Sequence, residues 1–194
     1  MPHTYSYDSE KAVKYARVWA LMRNPLFADY SSNRGGGGDC TNFISQCLFA
    51  GGWPMAYTDL YTAAFSWWAR PPSRDNSHSW ASVAHFIAFL KLSHRASNCK
   101  FDELAPGDLI THVTESHGGH IMFVTGIEDN LARWPLLCYH STDRLDYSFD
   151  KVINNPAEGG SGFGPDGYKY WKLKDSYHLV AAFPTTGLLL GELR

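Results

Sequence analysis

The sequence predicts an α+β domain in which helices come first along the chain and antiparallel strands follow. Up to residue 92, apolar residues recur with helical spacing. After residue 100, the apolar runs become short and alternate with turn residues. Because helices and strands are grouped rather than interleaved, we expect an antiparallel sheet and not a parallel one.

Length and charge narrow the class of protein. A chain of 194 residues suits one domain with a sizeable core. We assign residues 1–184 to this domain and 185–194 to a C-terminal tail. A net charge of −2 without long runs of like charge does not indicate nucleic acid as a partner. No apolar stretch reaches the roughly 20 residues that cross a bilayer, and the N-terminus lacks signal-peptide features. We expect no membrane span, and a monomer.

Helices are predicted in three segments beside the one described below. Asp8 or Ser9 caps the first, and Asn24-Pro25 breaks it. Ser79 or Ser82 starts the last. The three segments are residues 8–23, 60–69 and 80–92.

Strands are predicted in the second half of the chain. A turn at 104–108 precedes the first of them. The predicted strands are residues 109–113, 120–127 and 134–140, followed by a loop at 150–167 and a hairpin of 168–173 with 177–183. We expect 120–127 and 134–140 to pair as a meander.

The central stretch of the sequence is a glycine-rich loop that leads into a helix. Four glycines precede Asp39, which can cap the helix, and Cys40 begins it; Gly51-Gly52 ends it. One stripe of this helix carries Cys40, Phe43, Ile44 and Cys47, and the opposite stripe carries Thr41, Asn42, Ser45 and Gln46. The positive end of the helix dipole favours a thiolate at Cys40. Cys40 is therefore the candidate nucleophile.

The other cysteines do not form a recognisable framework. No Cys-x-x-Cys pair occurs, so a zinc knuckle is not expected. Four cysteines in a chain of this length also do not suggest a disulfide scaffold. We assign Cys47 to the core and leave open whether Cys99 and Cys138 pair.

A nucleophilic thiol needs a base, and we select His120 among nine histidines. It follows a turn and opens an apolar strand, which places its ring at the edge of the sheet. His112 and His117 are the competitors. A third residue should orient the imidazole. If the meander forms, His140 lies beside His120, and Asp143 is the alternative.

Several motifs together resemble a known family. They are Asn24-Pro25, the run DCTNFISQCL from residue 39, Gly51-Gly52, Ser79-Trp80, PGDLI from residue 106, His120 at a strand start, and HSTDR from residue 140. In this order they resemble the bacterial putative amidase domain of the papain-like NlpC/P60 and CHAP superfamily. The match covers roughly residues 8–183.

The resemblance implies a papain-like α+β fold in which the cysteine helix packs against an antiparallel sheet. It implies Cys40 as nucleophile, His120 as base and His140 as third member. It also implies hydrolysis of amide bonds in peptidoglycan or muropeptides at the bacterial cell wall. The chain could belong to a phage endolysin, an injected effector or a larger wall enzyme, and the bond cleaved stays open.

The corresponding mechanism is acyl transfer to the thiol. The Cys40 backbone N–H and one donor from the preceding loop, Asn33 or a glycine amide of 35–38, would stabilise the oxyanion. This chemistry needs no metal or other cofactor.

Three alternatives stay open. The first is a zinc amidase that uses His112, His117, His120 or His140, although the sequence has no His-Glu-x-x-His motif. The second is a wall-binding module without catalysis. The third is a cysteine protease or acyltransferase of the same fold.

Overall fold

The computed structural model describes residues 4–31, 38–112, 119–156 and 164–178. The expectations for Asn33, for His117 and for the tail at 185–194 lie outside these residues. The helices are α1 (Ser9–Trp19), α2 (Cys40–Ala50), α3 (His78–Ala81), α4 (Val83–Ser93) and α5 (Phe149–Ile153). The strands are β1 (Thr4–Ser6), β2 (Ala96–Cys99), β3 (Leu109–His112), β4 (His120–Ile127), β5 (Pro135–Tyr139), β6 (Arg144–Ser148), β7 (Lys169–Leu173) and β8 (Ser176–His178).

Six of the strands form one antiparallel sheet, and its spatial order is β2-β7-β3-β4-β5-β6. The predicted α+β class is therefore confirmed. The predicted meander is also confirmed, because β4 pairs with β5 with Phe123 opposite Cys138. On the other side of β4, His120 lies opposite His112 of β3.

The sheet separates two hydrophobic clusters. Ile121 and Phe123 of β4 belong to the cluster that also contains the buried residues of α1, α2 and α4. Met122 and Val124 point to the opposite face, where the second cluster packs under α5. This alternation follows from the two-residue period of a strand. We refer to the two sides as the α2 face and the α5 face.

The first predicted helix is present but shorter than expected, and the last is present in two parts. Asp8 caps α1, and its side chain accepts from the backbone N–H of Lys11. The helix predicted at 80–92 is divided into α3 and α4 because Ser82 is extended, with φ −121° and ψ 126°.

The prediction of a helix at 60–69 is wrong. Trp67 instead forms an antiparallel bridge with Ala56, through hydrogen bonds of 2.7 and 2.9 Å between their backbones. The hydroxyl of Ser66 donates to the carbonyl of Leu60, a local bond that competes with helix formation. The extended backbone buries Trp67 and Trp68 almost completely.

The predicted final hairpin of 168–173 with 177–183 is wrong for the described residues, and 179–183 lie outside them. β7 pairs with β2 on one side and β3 on the other, so neither of its edges is available to β8. β8 pairs with β1 at the other end of the chain instead, with Ser176 opposite Ser6. The sequence reasoning also did not predict β1, β2, β6 or α5.

Cys99 and Cys138 lie on strands four places apart in the sheet, β2 and β5. At about 4.8 Å per strand, roughly 19 Å separates them, well beyond the ~7 Å that a disulfide allows. They cannot pair. All four cysteines are free thiols, and the core position predicted for Cys47 is confirmed because its side chain is fully buried. Among the described helices, none combines the length and apolar character needed to cross a membrane.

Candidate active site

Cys40 is the first residue of α2, and its side chain is only 8% exposed. The helix begins with the hydrogen bond from the backbone N–H of Phe43 to the carbonyl of Asp39. The carboxylate of Asp39 does not act as the simple cap that the sequence suggested. Its Oδ1 accepts from the backbone N–H of Tyr30 and from the Asn42 amide, at 3.0 and 2.8 Å, so it fixes the approaching loop to the helix.

α2 is buried on all sides along residues 40–48, not only on its apolar stripe. Its polar residues form hydrogen bonds with Trp67, with Trp80 and with Tyr15 of α1. Ser45 donates to the carbonyl of Trp80 and accepts from the indole of Trp67, and the Asn42 amide oxygen accepts from the indole of Trp80. The polar stripe predicted from the sequence therefore makes specific buried hydrogen bonds, as buried polar groups require.

The Cys40 thiol lies at the start of β4. The backbone N–H of Ile121 is hydrogen-bonded to the sulfur, and the Thr41 hydroxyl lies 3.9 Å from it. Burial raises the pKa of the Cys40 thiol, whereas these hydrogen bonds lower it and the negative charge of Asp39 raises it further. Burial is the largest of these effects, so the pKa of the Cys40 thiol is raised, contrary to the thiolate expected from the sequence.

His120 opens β4 immediately before Ile121 and is half-buried. Its ring packs edge-on against Tyr139 at a centroid distance of 5.1 Å, and Tyr139 belongs to the α5-face cluster. The described contact between β4 and the thiol is made by the backbone N–H of Ile121. The fold thus brings His120 to the strand end that meets Cys40, and its role as base stays a prediction.

His112, a competitor for that role, lies directly opposite His120 in the neighbouring strand. Its ring packs 4.7 Å from that of Tyr168, and burial lowers the pKa of His112. Because the lowered pKa favours the neutral imidazole, His112 keeps the protonation state that a base needs.

His140 lies on the α2 face and is 1% exposed. Its ring stacks on Phe43 at 4.1 Å, and its Nε2 donates to the carbonyl of Trp19 at 2.9 Å. Its Nδ1 lies 2.6 Å from Oδ2 of Asp39. Both ring nitrogens are thus engaged by groups other than His120. The structure brings His140 to the residue before Cys40, and a catalytic role for it stays a prediction.

Asp143, the alternative third member, faces Arg23. The guanidinium of Arg23 donates to both carboxylate oxygens of Asp143, at 2.9 and 3.1 Å. The Nε of Arg23 also lies 3.0 Å from Oδ2 of Asp39. Asp143 therefore joins His140 and Asp39 in one charged network around Arg23.

Sequence reasoning did not identify Arg23 or the linking role of Asp39. The available signal was Asn24-Pro25, which is both the break after the first predicted helix and one of the motifs of the family resemblance. Asn24 is buried, and its side chain donates to the hydroxyl of Tyr15 and accepts from the backbone N–H of Leu26. A buried asparagine holds this turn, and the turn places Arg23 beside Asp39.

Metal-ligating side chains do not cluster in the part of the chain that the structure describes, where no group of three or more His, Cys, Asp or Glu could hold an ion. His117, which one alternative uses, lies outside that part.

The chain matches a known protein family. Residues 6–160 match the model of a family described as the putative amidase domain. This chain belongs to that family. As a member of the putative amidase domain family, it carries an amidase-type hydrolase domain. Cys40, His120 and His140 all lie within the matched residues.

The putative amidase domain is also similar to two proteins of Bacillus subtilis (strain 168). The uncharacterized protein YhbB is 39% identical over 119 residues, which are 59% of this chain and 35% of that protein. The uncharacterized protein YjcM is 29% identical over 163 residues, which are 81% of this chain and 36% of that protein. The chain thus spans about a third of each relative. No solved structure matches it significantly.

Proposed function

We propose that this chain is a cysteine-dependent amidase of papain-like fold that hydrolyses amide bonds in cell-wall peptidoglycan through a thioester. Membership of the putative amidase domain family supports amide hydrolysis. The observation that carries the cysteine mechanism is the position of Cys40, at the start of α2 and in contact with the first residues of β4. The packing of α2 against an antiparallel sheet is consistent with a papain-like layout.

The first step needs a base, because burial raises the pKa of the Cys40 thiol. We assign this step to His120. Its ring takes the thiol proton while the sulfur attacks the amide carbonyl, which gives a tetrahedral oxyanion. Because Ile121 faces α2, the two-residue period directs the His120 side chain to the α5 face, so this step requires a change in the backbone at the start of β4 that brings the ring to the sulfur.

The oxyanion then collapses to a thioester. Before that collapse, the backbone N–H of Cys40 and a donor from the preceding loop, Asn33 or a glycine amide, would stabilise the oxyanion. The protonated His120 gives its proton to the leaving amine. Water, deprotonated by the same ring, hydrolyses the thioester and regenerates the thiol.

The motifs shared with the papain-like wall amidases support peptidoglycan as the substrate. On this proposal the protein acts at the bacterial cell wall, after secretion or delivery, and works as a monomer. The stem-peptide amide, the cross-bridge and the N-acetylmuramoyl linkage are the candidate bonds.

Digestion of purified peptidoglycan, with mass spectrometry of the soluble products, tests this proposal. We expect amide cleavage that iodoacetamide abolishes and a metal chelator does not. Loss of activity with chelator alone would instead support the zinc amidase. Binding to wall material without cleavage would support a wall-binding module, and turnover only of protein or acyl substrates would support the protease or acyltransferase.

A further inference from the structure

Asp39 places a fully buried carboxylate directly before the candidate nucleophile. A buried carboxylate costs several kcal/mol unless charged and hydrogen-bonding partners surround it. The carboxylate also opposes catalysis, because its negative charge raises the pKa of the Cys40 thiol. The contacts of Asp39 therefore influence how readily the thiolate forms.

Two nitrogen-bearing side chains, a guanidinium and an imidazole, meet the same carboxylate oxygen. Nε of Arg23 lies 3.0 Å from Oδ2 of Asp39, and Nδ1 of His140 lies 2.6 Å from it. The other oxygen accepts from the backbone N–H of Tyr30 and the Asn42 amide. The carboxylate is thus held from the turn after α1, from the end of β5, from the preceding loop and from α2.

Arg23 is itself fixed in one orientation. Its two terminal nitrogens form a bidentate pair with Asp143, while Nε lies 3.0 Å from Oδ2 of Asp39 in an ion pair that lacks hydrogen-bond geometry. Asp29 lies 3.7 Å from the same Nε. The side chain of Arg23 is 22% exposed and that of Asp39 is 0% exposed, so solvent screens this pair only weakly.

We propose that Arg23 is a positioning residue of the Cys40 site, which holds the Asp39 carboxylate in place and neutralises its charge beside the thiol. The inference rests on the proposed role of Cys40 as nucleophile. Arg23 acts through Asp39 and does not touch the reacting atoms. Besides Cys40, the ionisable groups around this pair are Asp29, Asp143 and His140, which contact it, and Tyr15 and Tyr30, on which the charge of Asp39 acts.

Alkylation of Cys40 tests the inference without requiring turnover. The rate of reaction with iodoacetamide is measured against pH, with the modified residue identified by mass spectrometry, because the thiolate is the reacting form. In Arg23→Met we expect the midpoint of the Cys40 profile to rise by about one pH unit, which slows the reaction roughly tenfold below both midpoints. Arg23→Lys should stay closer to the parent profile, because it keeps the charge.

The double variant Arg23→Met/Asp39→Asn decides whether Arg23 acts through Asp39. If it does, removal of the carboxylate returns the midpoint toward the parent value. Arg17→Met is the matched control, since Arg17 is also paired with an aspartate, Asp146, but contacts the far end of β4 at Thr125. In Arg17→Met, the pH dependence of Cys40 alkylation should equal that of the parent. The pH dependence of Cys99 alkylation should not change in any variant.

An unchanged midpoint in Arg23→Met, or a raised midpoint that persists in the double variant, would overturn the inference. If Arg23→Met does not fold by circular dichroism, Asp39→Asn alone serves as the test. It should lower the midpoint, and a rise would contradict the inference. Failure of the proposed function would appear separately, as hydrolysis that survives Cys40→Ala.

Discussion

The imidazole of His140 is hydrogen-bonded to the carboxylate of Asp39 directly behind the candidate nucleophile. Nε2 of His140 faces the carbonyl oxygen of Trp19, which can only accept, so that nitrogen carries a hydrogen. Nδ1 lies 2.6 Å from the Asp39 carboxylate, a distance at which two lone pairs without a proton between them would repel. This pair ties the end of α1, the start of α2 and the end of β5 together at the position of Cys40.

Replacement of the proposed nucleophile or base should abolish hydrolysis and leave the fold intact. We expect Cys40→Ala and His120→Ala each to lower kcat by about 10⁴-fold or more, and the double variant to be no worse, because the two residues act as a unit. Peptidoglycan turnover with a fold check by circular dichroism measures this.

Two further variants make this first prediction specific. Cys47→Ala is the control, since Cys47 is a fully buried thiol one to two turns along the same helix, and it should keep its activity. Equal loss in His117→Ala with an active His120→Ala would transfer the role of base to His117.

Replacement of His140 should cost stability more than rate. His140→Ala removes the partner of a buried carboxylate and the ring that stacks on Phe43. We expect the free energy of unfolding to fall by about 3 kcal/mol, and kcat of the folded fraction to fall by less than about tenfold. Urea denaturation and steady-state kinetics measure the two effects. A fall in kcat of a thousandfold at unchanged stability would instead assign His140 a catalytic role.

The sequence predicted the centre of the sheet well, because local signals define it. Residues 120–127 combine an apolar run with turns at both ends, and they form β4 at those bounds. The pairing of β8 with β1 could not be predicted, since it joins residues at opposite ends of the chain. The helix predicted at 60–69 failed because long-range pairing with Ala56 overrides helical periodicity.

Of the site, the sequence predicted the position of Cys40 in its helix but not the contacts around it. The placement of Cys40 at a helix start follows from the glycines and Asp39 before it, and the structure has it there. Asp39 pairs with Arg23, 16 positions earlier in the sequence, and with His140, 101 positions later. Such contacts depend on the packing of α1, α2 and β5, which no local pattern encodes.

Stability should decrease at alkaline pH. Burial raises the pKa of Cys99 and Cys138 to about 11 and also raises that of Cys40 and Cys47. Above the ordinary thiol pKa of about 8.5, the unfolded chain therefore releases protons that the folded chain retains. Stability contributed by these thiols is complete below about pH 8.5 and is lost as pH rises toward 11.

Urea denaturation at a series of pH values, with a reductant present, measures this loss. The free energy of unfolding should be flat from pH 7 to 8 and fall steadily from pH 8.5 to 10.5. Cys138→Ala is the informative variant, because it should be less stable at pH 7 but show a shallower alkaline slope. A free energy that stays constant or rises between pH 8.5 and 10.5 would contradict the assignment of raised thiol pKa values.

Gly107, in the turn before β3, should not tolerate a side chain. Its φ is +101°, and an added Cβ would lie 2.5 Å from Cβ of Ser9. Its N–H donates to the carbonyl of Val124, and its own carbonyl accepts from the hydroxyl of Tyr7, so the turn cannot move without breaking buried bonds. We expect Gly107→Ala to destabilise the protein by about 2–4 kcal/mol, from the positive φ and the clash together.

A double variant separates the two causes of this loss. Ser9→Gly removes the atom that the new Cβ would meet, so Gly107→Ala should cost less in that background, and the remaining cost reports the strain at positive φ. Gly126→Ala is the matched control on β4, where the nearest atom to the added Cβ would be the flexible end of Leu136, at 3.3 Å. It should cost less than about 1 kcal/mol.

The kcat of folded Gly107→Ala should equal that of the parent. The turn at Gly107 leads into the first residue of β3, whereas His112 lies at the opposite end of that strand, near the Cys40 site. A loss of kcat without a loss of stability would show that the turn contributes to catalysis.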